Sequence, residues 1–208
     1  MMGNTVGSQR NLTKRQKGIL IGTLFGDGCL EKNGKNVRLR IEHGLKQKNY
    51  LLWKYNELRN LVAGKPRLVV GAVDNRTGKS YKRWHFSTFS LPKLNAYWYK
   101  FYRHKQKKIP KDILELLKLP LSLAVWFMDD GYKRNDCNAL RINTDSFNND
   151  EQKIVQKCLM RNFGIKSKLH RKGEYWNIYI PNSEAKKFCK IIKPFIIAEL
   201  KYKISLTP

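Results

Sequence analysis

Two aspartates have the residue type and spacing that metal-assisted hydrolysis needs. Asp27 and Asp130 each follow an apolar run and precede a glycine, and they lie 103 residues apart in a chain of 208. The apolar runs are typical of helices, which would place each carboxylate at a helix C-terminus. Negative charge at that end opposes the helix dipole, and a divalent cation would offset this cost. Carboxylate oxygens suit Mg²⁺, with Mn²⁺ as a substitute, and paired metal ions can stabilise both oxygens of phosphodiester hydrolysis.

Small residues near the start of each apolar run would let the two helices pack closely. Gly22 lies in the first run and Ala124 in the second. Close packing would bring Asp27 and Asp130 together, so the pair predicts a nuclease. Asp27 alone could instead be a turn residue, because Asp and Gly are favoured in turns. The matching position of Asp130 favours the functional interpretation.

The charge of the chain points to a polyanionic partner. Lysine and arginine total 42 against 16 acidic residues, a net charge of +26. A chain that is 41% hydrophobic can bury a core, which argues against a disordered basic tail. No apolar stretch approaches the roughly 20 residues of a membrane-spanning helix, so nucleic acid is expected rather than a membrane. The four cysteines are not grouped with histidines, which argues against a zinc finger.

The expected compartment rests on weaker features of the sequence. The first 16 residues lack the apolar core of a secretory signal, which predicts an intracellular protein that is not secreted. Richness in Lys, Asn and Ile suggests an AT-rich genome, such as that of a mitochondrion or plastid.

The elements that must position the aspartates occur in the same order twice. Each half is predicted to contain a helix, a strand, a second helix, a hairpin and a third helix. The first-half ranges are 13–26, 37–43, 48–62, 67–73, 81–90 and 94–102, with a loop over 31–36. Those of the second half are 119–131, 138–144, 149–163, 166–171, 175–180 and 183–197. An internal duplication explains this order, with subdomains at 1–104 and 105–208 and a linker around 104–110.

The two motifs carry a resemblance to a known family. The runs over 20–28 and 123–131 resemble the motif of the LAGLIDADG homing endonucleases, in the single-chain form that contains two copies. The second run is especially similar to the yeast mitochondrial intron endonuclease branch. The spacing between the motifs, Lys-Lys-Ile-Pro at 107–110, Asn-Thr-Asp-Ser-Phe at 143–147 and Lys-Tyr-Lys at 201–203 extend the resemblance over nearly the whole chain.

The resemblance implies an α+β fold and a set of site residues. The expected fold is a pseudo-twofold pair of αββαββα subdomains whose antiparallel sheets form a DNA-binding saddle. The eighth motif position binds the catalytic metal in this family, which corresponds to Asp27 and Asp130. Asp129 occupies the seventh position, usually a small packing residue, and is not assigned a catalytic role. A lysine near each scissile phosphate corresponds to Lys203 and, in the first half, to Lys107 or Lys108, with Lys108 favoured.

Candidate DNA-contacting residues alternate along the predicted strands. Arginine can read guanine with two hydrogen bonds, whereas lysine often only neutralises phosphate. Which of them contacts a base stays open. The candidates are Arg38, Arg40, Glu42, Lys79, Lys82 and Arg83 in the first half, and Arg141, Asn143, Lys168, His170, Arg171 and Lys172 in the second.

These features favour one function over two others. The leading hypothesis is a monomeric, metal-dependent DNA endonuclease that hydrolyses one phosphodiester on each strand of a long, asymmetric double-stranded target. The alternative is an RNA maturase that assists the splicing of its host group I intron, with intron RNA as the partner. A basic ribosomal protein would explain the charge but not the two motifs.

Overall fold

The computed structural model describes residues 11–206. These residues form two compact units. Residues 27–98, together with the described residues up to Gln16, form the first unit, and residues 17–26 and 99–206 form the second. The first motif helix therefore packs mainly within the second unit. The subdomain boundary predicted after residue 104 stays a prediction about the sequence repeat.

In the first half, the described residues from 11 onward form one four-stranded antiparallel sheet and three α-helices. The strand order is β1-β2-β4-β3. The helices are α1 (Lys14–Phe25), α2 (Lys48–Glu57) and α3 (Pro92–Phe101). The strands are β1 (Cys29–Asn33), β2 (Asn36–Gly44), β3 (Arg67–Val70) and β4 (Lys82–Ser87).

Alternation along β2 explains which face of this sheet is buried. Val37, Leu39 and Ile41 are at most 3% exposed, whereas the intervening side chains are partly exposed. A period of two places alternate side chains on opposite faces of a strand. Leu51 and Tyr55 of α2 are also buried, and α2 packs on β2. The sheet therefore has an apolar face against the helix and a polar face available to a partner.

The second half repeats the strand order. Strands β7 (Gly131–Lys133), β8 (Leu140–Ile142), β9 (Lys168–Lys172) and β10 (Tyr175–Ile180) form a sheet of order β7-β8-β10-β9. The helices of this half are α4 (Ile113–Leu116), α5 (Pro120–Asp130), α6 (Asn149–Phe163) and α7 (Asn182–Ile192). The repeated topology confirms the predicted α+β class.

The two motif helices pack closely because the first motif lacks side chains at two contact points, one in α1 and one directly after it. A Cβ atom at Gly22 would lie 2.6 Å from Val125 Cβ and would collide with the carbonyl oxygen of Ser122. A Cβ atom at Gly26 would collide with the Asp129 side chain. Gly22 and Val125 share the third motif position, and Gly26 and Asp129 share the seventh. At both positions the first motif supplies the space and α5 supplies the side chain.

Two local expectations were wrong in their details. Residues 31–36, expected to be a loop, contain the end of β1 and a tight turn at Gly34, which has a φ of 64°. A helix expected over 183–197 ends at Ile192, because Pro194 has no N–H to continue the ladder. The expected linker contains a hairpin formed by β5 (Tyr102–Arg103) and β6 (Gln106–Lys107).

No helix among residues 11–206 is both long and apolar enough to cross a membrane.

Candidate functional site

The first motif carboxylate lies beside a buried histidine. Asp27 lies two residues after the end of α1, and its side chain is 42% exposed. The Nδ1 atom of His43 lies 3.5 Å from the Asp27 Oδ2 atom, and the His43 side chain is 1% exposed. A partly exposed carboxylate with one flank against a fixed ring keeps its oxygens accessible.

His43 is held by an aromatic and cationic cluster. Its ring centroid lies 4.8 Å from that of Tyr50, and the Lys54 Nζ atom lies 4.5 Å from the Tyr50 ring centroid. Lys54 is completely buried. His43 is not among the site residues expected from the sequence, and its position beside Asp27 emerges only from the structure. The sequence contained one signal for this position. His43 continues the alternating series of Val37, Leu39 and Ile41, so it is expected on the buried face of β2, near the strand end.

The second motif carboxylate ends α5. Asp130 is half-buried, and its carbonyl oxygen accepts a hydrogen bond of 3.1 Å from the Asn143 backbone N–H. The preceding Asp129 is 9% exposed and packs on the backbone of Gly26. The Asn143 contact fixes the end of α5 against the segment that follows β8.

A lysine donates to the C-terminal carbonyls of each motif helix. Lys203 Nζ donates to the Met128 carbonyl at 2.6 Å. Lys107 Nζ donates to the Gly26 carbonyl at 2.8 Å. Cations at a helix C-terminus interact favourably with its unpaired carbonyls and dipole. Each ammonium group is thereby held within the last turn of a motif helix or just beyond it.

Lys107 and Lys108 differ because of the β5–β6 hairpin. His104 and Lys105 have φ values of 49° and 66°, and positive φ at both central residues is typical of a type I′ turn. This turn places Lys107 in β6, with its side chain reaching Gly26. Lys108 uses its backbone N–H to donate to the Phe101 carbonyl at 2.7 Å.

The polar face of the first sheet holds a series of alternating charges. The Glu31 carboxylate accepts from Arg38 at 2.9 Å and from Arg40 at 2.7 Å. Glu42 accepts from Arg40 through its Oε1 atom and from Arg83 at 3.2 Å through Oε2. These five residues form what we call the arginine–glutamate chain. Each carboxylate bridges two arginines, so the positions of the three guanidinium groups depend on one another.

Two neighbouring groups titrate away from their usual ranges. Burial raises the pKa of Glu31, but hydrogen bonds from Arg40 and Arg38 outweigh it, and the pKa is lowered. Burial lowers the pKa of His85, and Arg40 adds to this effect against the opposing charge of Glu42. The Glu31 carboxylate is therefore charged and the His85 ring neutral at neutral pH.

The polar face of the second sheet is organised by rings and an amide. The His170 and Tyr179 rings stack with their centroids 3.8 Å apart, and the Arg141 guanidinium lies 5.9 Å from the Tyr179 centroid. The Asn177 side chain donates to the Asp145 carboxylate. Burial lowers the pKa of His170, and Arg141 lowers it further, so this ring is also neutral at neutral pH.

The other DNA-contact candidates occupy strand edges and turns. Lys79 is exposed next to the turn between β3 and β4. Lys82 lies four residues before the buried Phe86 in β4, so the two side chains are on the same face of the sheet. Arg83 is therefore on the opposite face. Lys168 is exposed and pairs with Tyr179.

Two more candidates lie at the end of β9. Arg171 pairs with Trp176, which places it on the opposite face from His170, and its Nε donates to the Gly173 carbonyl at 2.9 Å. Lys172 belongs to β9, but its side chain lies outside the described part of the structure.

Each motif contributes a carboxylate, the donor type that suits a hard divalent cation. The residues in question, Asp27 and Asp130, offer carboxylate oxygens at the ends of α1 and α5. Hard oxygen donors and room for water molecules suit Mg²⁺. The partial exposure of both side chains is consistent with that requirement.

Comparison with known proteins gives a consistent result. Residues 17–188 match the LAGLIDADG DNA endonuclease family. The DNA endonuclease I-ChuI of Chlamydomonas applanata is 33% identical over 94% of this chain and 96% of its own length. The cytochrome b mRNA maturase bI2 of Debaryomyces hansenii is 30% identical over 97% of this chain and 78% of its own length.

The structural comparison agrees with the sequence comparison. The homing endonuclease I-WcaI, solved bound to its DNA recognition sequence, has a TM-score of 0.85 and 27% identity over 96% of this chain and 89% of its own. The full-length WhiA protein is similar in fold, with a TM-score of 0.55 at 15% identity over 93% of this chain and 60% of its own. The family match, the sequence relatives and the fold agree over most of the chain. The chain therefore belongs to the LAGLIDADG DNA endonuclease family.

Proposed function

We propose that this protein is a monomeric, site-specific DNA endonuclease that makes a double-strand break by hydrolysing one phosphodiester on each strand. The observation that carries the proposal is the occurrence of Asp27 and Asp130 at equivalent motif positions, each with a lysine donating to carbonyls at the same helix end. The net charge of +26 and the similarity to an endonuclease solved with its DNA recognition sequence support DNA as the partner.

Asp27 and Asp130 would hold the divalent cation, Mg²⁺ or Mn²⁺. When bound, such an ion stabilises the charge that develops on the phosphate oxygens and lowers the pKa of a coordinated water. His43 positions Asp27 by occupying one flank of its carboxylate. The hydrogen bond from the Asn143 N–H to the Asp130 carbonyl fixes the backbone of Asp130 and so limits the positions that its carboxylate can take.

Lys107 and Lys203 are the proposed electrostatic partners of the two aspartates. Lys107 Nζ donates to the Gly26 carbonyl, and Lys203 Nζ donates to the Met128 carbonyl at 2.6 Å and to the Asp129 carbonyl at 3.5 Å. Such donors can stabilise the anionic phosphate as its charge increases in the transition state. We assign this role in the first half to Lys107, instead of the Lys108 favoured from sequence, because Lys107 meets the end of α1 as Lys203 meets that of α5.

The test separates cleavage from binding. A target is first selected from a random-site duplex library and placed in a supercoiled plasmid. Asp27→Asn and Asp130→Asn should each convert the plasmid to nicked circles, and the double variant should leave it intact while still binding the target. Asp150→Asn, which removes a charge from the exposed start of α6, is the control and should cleave normally. Double-strand cleavage by the double variant would exclude the proposed centre.

RNA maturation is the second candidate function, because a maturase is among the relatives. The two functions differ in the polyanion that binds better at matched salt. Binding of a structured group I intron RNA that exceeds binding of the selected DNA would favour the maturase. The predicted organellar origin stays a proposal, which the relationship to a cytochrome b mRNA maturase supports.

A further inference from the structure

Two carboxylates lie on a surface that is proposed to bind a polyanion. Glu31 and Glu42 belong to the polar face of the first sheet, and the side chains are 25% and 18% exposed. A negative charge on such a face repels phosphate and lowers affinity for any DNA. The position of these two residues among the few acids of the chain therefore needs an explanation.

Stability of the fold does not supply that explanation. The paired arginines are themselves partly exposed, at 39% for both Arg38 and Arg40. Exposed ion pairs contribute only about 0–1 kcal/mol each, because water and salt screen them. The contribution that remains is geometric, since each carboxylate fixes the guanidinium groups that bind to it.

The hydrogen bonds to Glu31 and Glu42 use only some of the Arg40 N–H groups. Its Nε and one terminal nitrogen donate to Glu42, and the other terminal nitrogen donates to Glu31. An arginine has five N–H donors, so one remains on each terminal nitrogen. Terminal N–H groups of this kind can donate to guanine O6 and N7 in the major groove.

Arg83 is held from a second direction. A Cβ atom at Gly71, in the segment after β3, would collide with the Arg83 guanidinium. The Gly71 N–H donates to the Tyr81 carbonyl at 2.9 Å, which fixes the backbone there. Gly71 and Arg83 line a groove of about 410 Å³ together with Arg40 and Glu42. The missing side chain at Gly71 thus lets Arg83 lie against the backbone while it donates to Glu42.

We propose that Glu42, assisted by Glu31, is a positioning residue for sequence recognition, which holds Arg40 and Arg83 so that they read guanines in one half of the DNA target. The inference rests on the proposed function, because it requires sequence-specific DNA binding. It assigns Glu42 a role through the arginines and not through its own contact with a base.

The experiment uses Glu42→Gln and Gly71→Ala, which disturb the same arginines in different ways. The first variant removes one negative charge from the surface, and the second leaves the charge unchanged. Glu57→Gln is the matched control, since Glu57 at the end of α2 is bound by Arg15 of α1, and its side chain is 19% exposed, against 18% for Glu42. Thermal unfolding of each variant confirms that it is folded.

Each protein selects sites from a random-site duplex library, and its affinity is then measured for its consensus and for a mixed-sequence duplex. Glu42→Gln should bind the mixed duplex about 3-fold more tightly and increase the salt dependence by about one counterion. Its preference for the consensus should fall about 10-fold or more, with the loss confined to neighbouring positions in one half of the site. Gly71→Ala should lose preference at an overlapping set of positions without any gain on the mixed duplex, and Glu57→Gln should keep the consensus.

Two results would overturn the inference and leave the proposed function intact. In the first, Glu42→Gln gains general affinity and keeps every position of the consensus, which would mean that Glu42 only moderates charge. In the second, Glu42→Gln changes a single position and Gly71→Ala changes none, which would mean that Glu42 itself reads a cytosine. Failure of the wild-type protein to select any consensus would instead overturn the proposed function and the inference together.

Discussion

Arg40 and Arg141 occupy equivalent places in the two sheets but have different surroundings. Arg40 pairs with Cys29 and Arg141 with Tyr132, and each partner directly follows the glycine of its motif. Two carboxylates hold Arg40, whereas Arg141 lies over the ring of Tyr179.

The difference shows that one topology supports two ways of fixing a cation. Ion pairs fix both the position and the roll of a guanidinium, because specific N–H groups are engaged. A ring face attracts the cation with less directional control. The first sheet is therefore expected to discriminate bases more strongly, and the second to contribute more general attraction to the backbone.

The largest expected effect tests whether the two helix ends are equivalent in function. Lys203→Met and Lys107→Met should each slow cleavage of one strand about 10²–10³-fold, because a donor to the developing charge is lost. Strand-specific nicking of the selected target measures this. Lys108→Met should stay within about 3-fold of the wild type, and a larger loss there would return the role to Lys108. Unequal losses for Lys107 and Lys203 would show that the equivalence stops at geometry.

The next largest effect concerns the unequal motif helices. Gly22→Ala should lower the free energy of unfolding by about 2–3 kcal/mol, because the added methyl meets the backbone of Ser122 and overpacking outweighs the gain in helix propensity. Chemical denaturation measures the change. Gly64→Ala is the control, since a Cβ there meets nothing within 4 Å. A Gly22→Ala protein as stable as the wild type would show that α1 can move away from α5 at little cost.

A smaller effect distinguishes the two sheets directly. Arg40→Lys should cost about 1–2 kcal/mol in preference for the consensus, because lysine cannot reproduce the guanidinium geometry. Arg141→Lys should cost less, since a lysine can still lie over Tyr179. Competition binding against mixed-sequence duplex gives both values. Equal losses at the two positions would remove the proposed difference between the sheets.

The smallest effect is a pH dependence that both sheets share. His85 and His170 have lowered pKa values in the folded protein, mainly because of burial. Folding thus favours the neutral rings, and their contribution is fully present above the unfolded pKa of about 6.5 and is lost as the pH falls below it. His85→Gln and His170→Gln should each flatten the fall in unfolding free energy between pH 7.5 and 5.5. An unchanged slope in either variant would contradict the shift at that residue.

The sequence predicted the features that depend on local pattern. The motif helices end at Phe25 and Asp130, close to the predicted positions, because an apolar helix followed by glycine is a local signal. The alternation of β2 also placed Arg38, Arg40 and Glu42 on one face of a strand, and the structure has them there. These inferences needed no knowledge of which strands pair.

Features that depend on strand register could not be predicted. Glu31 was expected to lie in a loop. Its position in β1, opposite Arg38 of β2, could therefore not be predicted. Lys107 and Lys108 are indistinguishable in sequence because a two-residue strand has no readable alternation. Their difference arises from the turn at residues 104–105, which fixes the lysine that reaches α1.

The packing of the motif helices also makes the two motifs complementary to each other and not interchangeable. Two copies of α5 arranged in the same way would oppose Val125 to Val125 and Asp129 to Asp129, where the chain now has a glycine on one side. Two copies of α1 would leave gaps at both places. Neither helix is suited to pair with itself, so separating the halves into identical subunits would require compensating substitutions. Each motif helix therefore carries one of two complementary surfaces, and a substitution at Gly22 or Gly26 is constrained by the side chain that faces it.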